Sequence, residues 1–138
     1  MGEHPARAGA RRSMEAVMAG DREAWLANFT EDALVEDPVG PSPLDESGSG
    51  HRGRKAIGAF WDMTIATMHG IRFEIHDSFA NGNEVVNVAS IHLDLPGGVT
   101  ARTDGVFHYV VDDDGLVTNL RAHWEMDRML ATMQQATD

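Results

Sequence analysis

Residues 32–40 read Asp-Ala-Leu-Val-Glu-Asp-Pro-Val-Gly, and this stretch is the most specific in the chain. Its apolar residues Leu34 and Val35 predict a short strand that ends in an acid and a proline. Pro38 has no backbone N–H, so Asp37 lacks one common donor that would favour its ionised form. We interpret Asp37 as a candidate general base with a raised pKa. The alternative is a strand-terminal Asp-Pro that only opens a turn.

The segments around this strand predict helices first and strands afterwards. Apolar residues at helical spacing predict helices over about 13–18, 22–29 and 54–68. Gly20 and Asp21 are predicted caps between the first two helices. Alternating patterns predict strands over about 71–76, 86–95, 100–111 and 116–126. Helices followed by a run of strands indicate an α+β fold, with the helices packed on one face of a curved sheet.

Composition bounds the class of protein. A length of 138 residues fits a single domain, which we predict over 13–138 after a basic, Ala/Gly-rich arm at 1–12 that we expect to be disordered. The formal net charge of −11 argues against a nucleic-acid-binding or anionic-membrane-binding protein. The absence of cysteine excludes disulfides and thiolate chemistry. No signal peptide or membrane span is recognisable, so we expect a cytoplasmic protein.

Five stretches resemble the Δ5-3-ketosteroid isomerases of the nuclear transport factor 2-like (SnoaL-like) superfamily. They are Ala-Gly-Asp at 19–21, Phe-Thr-Glu-Asp-Ala-Leu-Val-Glu-Asp-Pro-Val-Gly at 29–40, Gly-Arg-Lys-Ala-Ile-Gly-Ala-Phe-Trp at 53–61, Asp-Gly at 114–115 and Ala-His-Trp at 122–124. The resemblance implies a cystatin-like cone in which three N-terminal helices pack on a curved, mostly antiparallel sheet. It also implies a homodimer with a small, hydrophobic, steroid-like ligand and no cofactor. In the isomerases the aspartate of this motif removes a proton beside the steroid carbonyl, so the resemblance assigns that role to Asp37.

Two positions depart from the isomerase pattern. The resemblance places Ser13 and Phe107 where the isomerases have the tyrosine and the neutral aspartic acid that hold the oxygen of the intermediate. Each lost donor costs on the order of 10²–10³ in rate. His92 is the expected replacement, because the register implied by the resemblance directs His92 and its strand neighbour Ser90 into the pocket. The alternative is a His92 on a solvated face or paired with Asp94.

The resemblance also brings a set of large apolar side chains near Asp37. Together with Ser13, Ser90 and His92 we predict that they line the ligand site: Phe29, Trp61, Phe107, Leu120 and Trp124. The alternative is that these side chains fill the core, which we expect for Phe60. No set of His, Asp and Glu has the spacing of a known metal site, so we predict no metal.

Three functions remain open from the sequence. The first is a ketosteroid isomerase-like enzyme with Asp37 as base and weak activity, because the usual oxyanion donors are missing. The second is a non-catalytic protein that binds a steroid or polyketide in the same pocket. The third is a SnoaL-like polyketide cyclase, in which Asp37 and His92 would supply the acid and base.

Overall fold

The computed structural model describes residues 2–135. The helices are α1 (Pro5–Ala19), α2 (Arg22–Ala27), α3 (Gly53–Met63) and α4 (Met126–Ala131). The strands are β1 (Phe29–Glu36), β2 (His51–Arg52), β3 (Gly70–Asn81), β4 (Glu84–Leu95), β5 (Val99–Val111), β6 (Val117–Trp124) and β7 (Gln134–Gln135). Single turns of 3₁₀ helix lie at Ile65–Thr67 and Pro96–Gly98. None of the helices among these residues is both long and apolar enough to cross a membrane.

One sheet forms the body of the protein. Its strand order is β2-β1-β6-β5-β4-β3, and β7 adds to the end of β5. All pairings are antiparallel except that of β1 with β6, which is parallel. Helices α1–α3 cover one face of this sheet, which we call the inner face, and the opposite face is the outer face. The predicted α+β fold, with three N-terminal helices on a curved and mostly antiparallel sheet, is confirmed.

Helix α1 corrects the prediction of a disordered arm over 1–12. The helix begins at Pro5, whose missing N–H is harmless in a first turn, and the His4 imidazole accepts a hydrogen bond from Ala6 N at 3.1 Å. Ala6 and Ala10 are completely buried in the core. The folded unit therefore begins near Pro5 rather than Ser13, while the predicted domain's last residues, 136–138, lie outside the described residues.

The Ala/Gly composition of this segment reflects close packing rather than flexibility. Gly9 lies so close to the sheet that a Cβ there would meet Val111 Cγ1 at 2.9 Å. The basic residues also have partners on the domain, since Arg7 Nε donates to Ser78 Oγ at 3.1 Å and Arg12 donates to the Gly115 carbonyl at 2.9 Å. Small residues thus let α1 approach the sheet, and its arginines reach across to hold it there.

The junctions between helices follow the predicted signals only in part. Gly20 ends α1 in the left-handed conformation (φ 67°), and the Asp21 carboxylate caps α2 by accepting from Ala24 N at 3.0 Å, so both predicted caps are confirmed. Helix α3 ends at Met63, earlier than predicted. Thr64 departs from helical geometry and starts a 3₁₀ turn, and its hydroxyl donates to the Phe60 carbonyl. Thr64 and the 3₁₀ residues Ile65 and Thr67 line a cavity above the sheet.

Candidate functional site

A cavity of about 320 Å³ opens between α3, the inner face of the sheet and α4. Its volume lies at the lower end of the range for small-molecule sites. The walls are largely apolar and include half of the protein's eight methionines. The apolar lining comprises Val17, Leu44, Phe60, Met63, Ile65, Met68, Ile71, Phe73, Ile91, Leu93, Trp124, Met126 and Met129. The cavity is therefore suited to a hydrophobic ligand.

Among the described residues that line this cavity, Asp37 is the one with an ionisable side chain. Trp124 Nε1 donates a hydrogen bond to its Oδ1 at 2.6 Å, and no other described residue donates to the carboxylate. Burial raises the pKa of Asp37 above its ordinary value, while the Trp124 bond and the electrostatic influence of His51 act in the opposite direction. One carboxylate oxygen is thus held in place, and the other has no donor among the described residues. This arrangement suits a general base.

The pairing of β1 with β6 explains how the carboxylate meets the indole. Val35 lies beside Leu120 and Glu36 beside Arg121 in parallel register, and Arg121 Nε donates to Glu36 Oε1 at 2.9 Å. The chain after Pro38 is fixed in the same way, because Val39 N donates to the carbonyl of Ala122 at 2.9 Å. The motif is therefore anchored to β6 on both sides of Asp37, and β6 ends at Trp124.

Gly105 makes room for the indole. It lies opposite Trp124 in the antiparallel pairing of β5 with β6. A Cβ at this position would collide with the His123 carbonyl oxygen and would approach Trp124 Cβ to 3.0 Å. Only glycine therefore allows β6 to come close enough to β5 at this point.

His51 is a neighbour of Asp37 that the sequence did not reveal. It lies on β2 opposite Val35, and its ring centroid is 4.9 Å from that of Phe60. Its Nε2 is buried and has no hydrogen-bond partner within residues 2–135. A two-residue strand after a long Gly/Ser/Pro-rich loop carries no periodic signal, so sequence reasoning placed His51 in the loop.

Tyr109 is a second residue that sequence reasoning missed. It is buried on β5, on the same face as Phe107. Ser13 is close enough to the phenol to lower its pKa, and the Ser13 hydroxyl accepts a hydrogen bond from Trp25 Nε1 at 3.1 Å. Burial, reinforced by the charge of Asp37, raises the pKa of Tyr109, so it remains a neutral phenol. Period-two alternation from Phe107 could have identified this residue, the only tyrosine in the chain.

Several predicted lining residues instead belong to the core beneath the cavity. Phe29 is completely buried and packs edge-on against Trp25, with ring centroids 4.9 Å apart. The ring centroids of Trp25 and Trp61 are 5.2 Å apart. Ser13, Phe29, Trp61, Phe107 and Leu120 are buried and do not line the cavity, whereas Trp124 does. Phe60, expected in the core, lines the cavity as well.

Ser90 and His92 lie on the outer face, so the prediction that they enter the pocket is wrong. His92 Nε2 hydrogen-bonds Glu74 Oε1 at 2.9 Å, and Ser90 Oγ donates to Asp104 Oδ1 at 2.6 Å. The neighbouring residue Ile91 lines the cavity instead. A strand alternates its faces with a period of two, so an error of one residue in the register reversed every side chain of β4.

The described residues contain no group of three or more His, Asp or Glu side chains arranged to hold a metal ion. The Asp37 end of the cavity combines the carboxylate, the indole of Trp124 and apolar walls.

Comparison with known families identifies the architecture. The SnoaL-like domain family matches residues 10–120. The chain belongs to the SnoaL-like family. This SnoaL-like protein is similar to a Δ5-3-ketosteroid isomerase from Mycobacterium sp., with 36% sequence identity, a TM-score of 0.85, and 96% of this chain and 98% of that chain covered. No curated protein matches the chain.

It is also similar to Rv0760c from Mycobacterium tuberculosis, with 34% identity and a TM-score of 0.87 over 97% of this chain and 98% of that one. A second structure of Rv0760c, in complex with estradiol-17β-hemisuccinate, shares 35% identity at a TM-score of 0.85 and covers 96% of this chain and 99% of that chain. The recognised resemblance is confirmed, and the similar proteins include one that binds a steroid derivative.

Proposed function

We propose that this protein binds a steroid or similarly flat, hydrophobic carbonyl compound in the cavity and isomerises it slowly, with Asp37 as general base. One observation carries the proposal: Asp37 lies on the wall of an apolar cavity, one of its oxygens accepts from Trp124 at 2.6 Å, and the other has no donor within residues 2–135. The steroid complex of Rv0760c supports the choice of ligand class.

The reaction would move one proton within the ligand. Asp37 takes the proton from the carbon beside the carbonyl, and the electrons of the broken C–H bond pass into the conjugated system to give a dienolate. Asp37 then returns the same proton to the more distant carbon, so that the base is regenerated. The raised pKa of Asp37 favours this step because it makes the carboxylate a stronger base near neutral pH.

The oxygen of the dienolate lacks the usual donors. Ser13 and Phe107 occupy the two positions assigned to them by the resemblance, and the buried Tyr109 hydroxyl lies against Ser13 instead of lining the cavity. His92 is on the outer face and offers no replacement. We therefore expect turnover that is slower by at least about 10²-fold than with a complete oxyanion hole.

The missing donors favour one alternative, a binding protein that holds the same ligand without turnover. The third possibility from the sequence is a polyketide cyclase in which His92 acts together with Asp37. The structure gives it no support, because the two residues lie on opposite faces of the sheet.

Two measurements test the proposal. The first is a fluorescence titration with equilenin, a phenolic steroid that mimics the dienolate, and we expect saturable binding. The second follows the conversion of a 5-ene-3-ketosteroid to its conjugated isomer by ultraviolet absorbance, in wild type and Asp37→Asn. Slow turnover that disappears in Asp37→Asn supports the enzyme. Binding without turnover supports the alternative, and the absence of equilenin binding would rule out both.

We also propose a homodimer through the outer face of the sheet. This face exposes apolar side chains from three neighbouring strands, namely Phe79 (58% exposed), Val88 and Val106. Sedimentation equilibrium should give a dimer mass for wild type and a weaker association for Val106→Glu. A wild-type monomer at micromolar concentration would refute this assembly.

A further inference from the structure

Three of the described threonines line the cavity, and two of them already donate their hydroxyl protons to backbone carbonyls. Thr64 donates its hydroxyl to the Phe60 carbonyl at 2.7 Å, and Thr67 donates its own to the Thr64 carbonyl at 2.6 Å. No residue in the described range 2–135 hydrogen-bonds the side chain of Thr103, which is only 5% exposed. Buried polar groups are normally hydrogen-bonded, so we expect this hydroxyl to have a hydrogen-bond partner other than the described residues.

The Thr103 hydroxyl faces the cavity. Among the described residues, His51 Nε2 is the only side-chain nitrogen or oxygen atom that is fully buried and has no hydrogen-bond partner. The unpartnered Thr103 hydroxyl is absent from that class, so its oxygen retains some accessible surface, and Thr103 is one of the residues that line the cavity. Thr103 lies on the inner face of β5, opposite Ile91 on β4, and both line the cavity.

The position of Thr103 separates it from the Asp37 end of the cavity. Thr103 comes two residues before Gly105, which lies opposite Trp124. At about 3.3 Å per residue, the backbone position of Thr103 is displaced by about 7 Å along the strand from the position opposite Trp124. The cavity thus has one polar contact beside Trp124 and a second one at a distance, with apolar side chains between them.

We propose that Thr103 is a specificity-determining residue that hydrogen-bonds a neutral oxygen at the end of the ligand remote from Asp37. This inference rests on the proposed function and narrows its substrate class to flat hydrophobes that carry oxygen at both ends. A hydroxyl both donates and accepts, so it binds a ketone or an alcohol alike. Within residues 2–135, no lysine or arginine lines the cavity, which disfavours a carboxylate or phosphate at this end.

A comparison of two ligands and three variants tests the inference. Equilenin carries a phenol at one end and a ketone at the other, and 17-deoxyequilenin lacks only the ketone. The measured quantity is the ratio of the two dissociation constants within each variant, so that a partial loss of folded protein cancels. The variants are Thr103→Val, which keeps the shape of the side chain, Thr103→Ser, which keeps the hydroxyl, and Thr100→Val as matched control. Thr100 lies on the same strand, on its exposed outer face and outside the cavity lining.

Wild type should bind equilenin about 2–10-fold more tightly than 17-deoxyequilenin, the range for one neutral hydrogen bond. Thr103→Val should bring this ratio close to one, whereas Thr103→Ser and Thr100→Val should keep the wild-type ratio. A wild-type ratio near one, or a ratio that Thr103→Val leaves unchanged, would overturn the role of Thr103 while the proposed function stands. If wild type binds neither steroid, the proposed function fails together with this inference.

Discussion

Replacing Trp124 with phenylalanine removes the indole N–H but keeps most of the aromatic surface of the cavity wall. The lost bond is the 2.6 Å contact to Asp37 Oδ1, and no other described residue donates to this carboxylate. A hydrogen bond to a charged group contributes about 1.5–3 kcal/mol, which corresponds to roughly 10–150-fold in the ratio of ionised to protonated carboxyl. Because the bond favours the ionised form, its loss raises the pKa of Asp37 further.

The assay is a pH titration of the aspartate side-chain carboxyl carbons by ¹³C NMR, in which the Asp37 signal is assigned by its absence in Asp37→Asn. We expect the titration midpoint of Asp37 to move to higher pH in Trp124→Phe. The matched control is Trp61→Phe, which makes the same change at a buried indole that is not bonded to Asp37. A midpoint that is the same in wild type and Trp124→Phe would refute the assignment of Trp124 as the group that holds Asp37 ionised.

Three further predictions concern stability. The pKa of Asp37 is raised in the folded state, so the protonated carboxyl contributes stability that is complete below the unfolded pKa and is lost as pH rises through the folded pKa. Asp37→Asn should therefore have a higher melting temperature than wild type at neutral pH. A difference in melting temperature that does not shrink towards acid pH would contradict this. Gly9→Ala should destabilise by about 1–3 kcal/mol in urea unfolding because its Cβ would press on Val111, whereas a neutral effect would mean that α1 does not pack closely. Gly105→Ala should destabilise by a similar amount, and it should also raise the pKa of Asp37 by displacing Trp124. An unshifted titration of the Asp37 carboxyl would contradict the second effect.

Local signals in the sequence predicted the fold well. Gly20 and Asp21 mark the junction of α1 and α2 because each has a conformational or hydrogen-bonding property that few residues share. The hydrophobic periods distinguished helices from strands. The start of α1 was missed because a helix that packs through Ala6, Gly9 and Ala10 lacks large apolar residues and resembles a flexible segment in composition.

The site was harder to predict because it depends on which face of a strand or helix points into the cavity. The alternation in β4 separates Ile91 from His92 but does not say which of them points inward. In α3 the adjacent residues Phe60 and Trp61 are both apolar, and only the packing of Trp61 against Trp25 decides that Phe60 lines the cavity. Asp37 stood out because its strand, its acid and its proline are contiguous in sequence.

The methionine-rich wall of the cavity has a consequence for the range of ligands. Met63 and Met68 line one side and Met126 and Met129 another. Unbranched thioether side chains change rotamer at little cost, so this wall can adjust to molecules of different outline while Asp37 stays fixed by Trp124. The same sulfur atoms are open to oxidation, and conversion to the sulfoxide would place polar oxygens on the apolar wall. A hydrophobic ligand would then bind more weakly under oxidising conditions and would itself shield these methionines while bound.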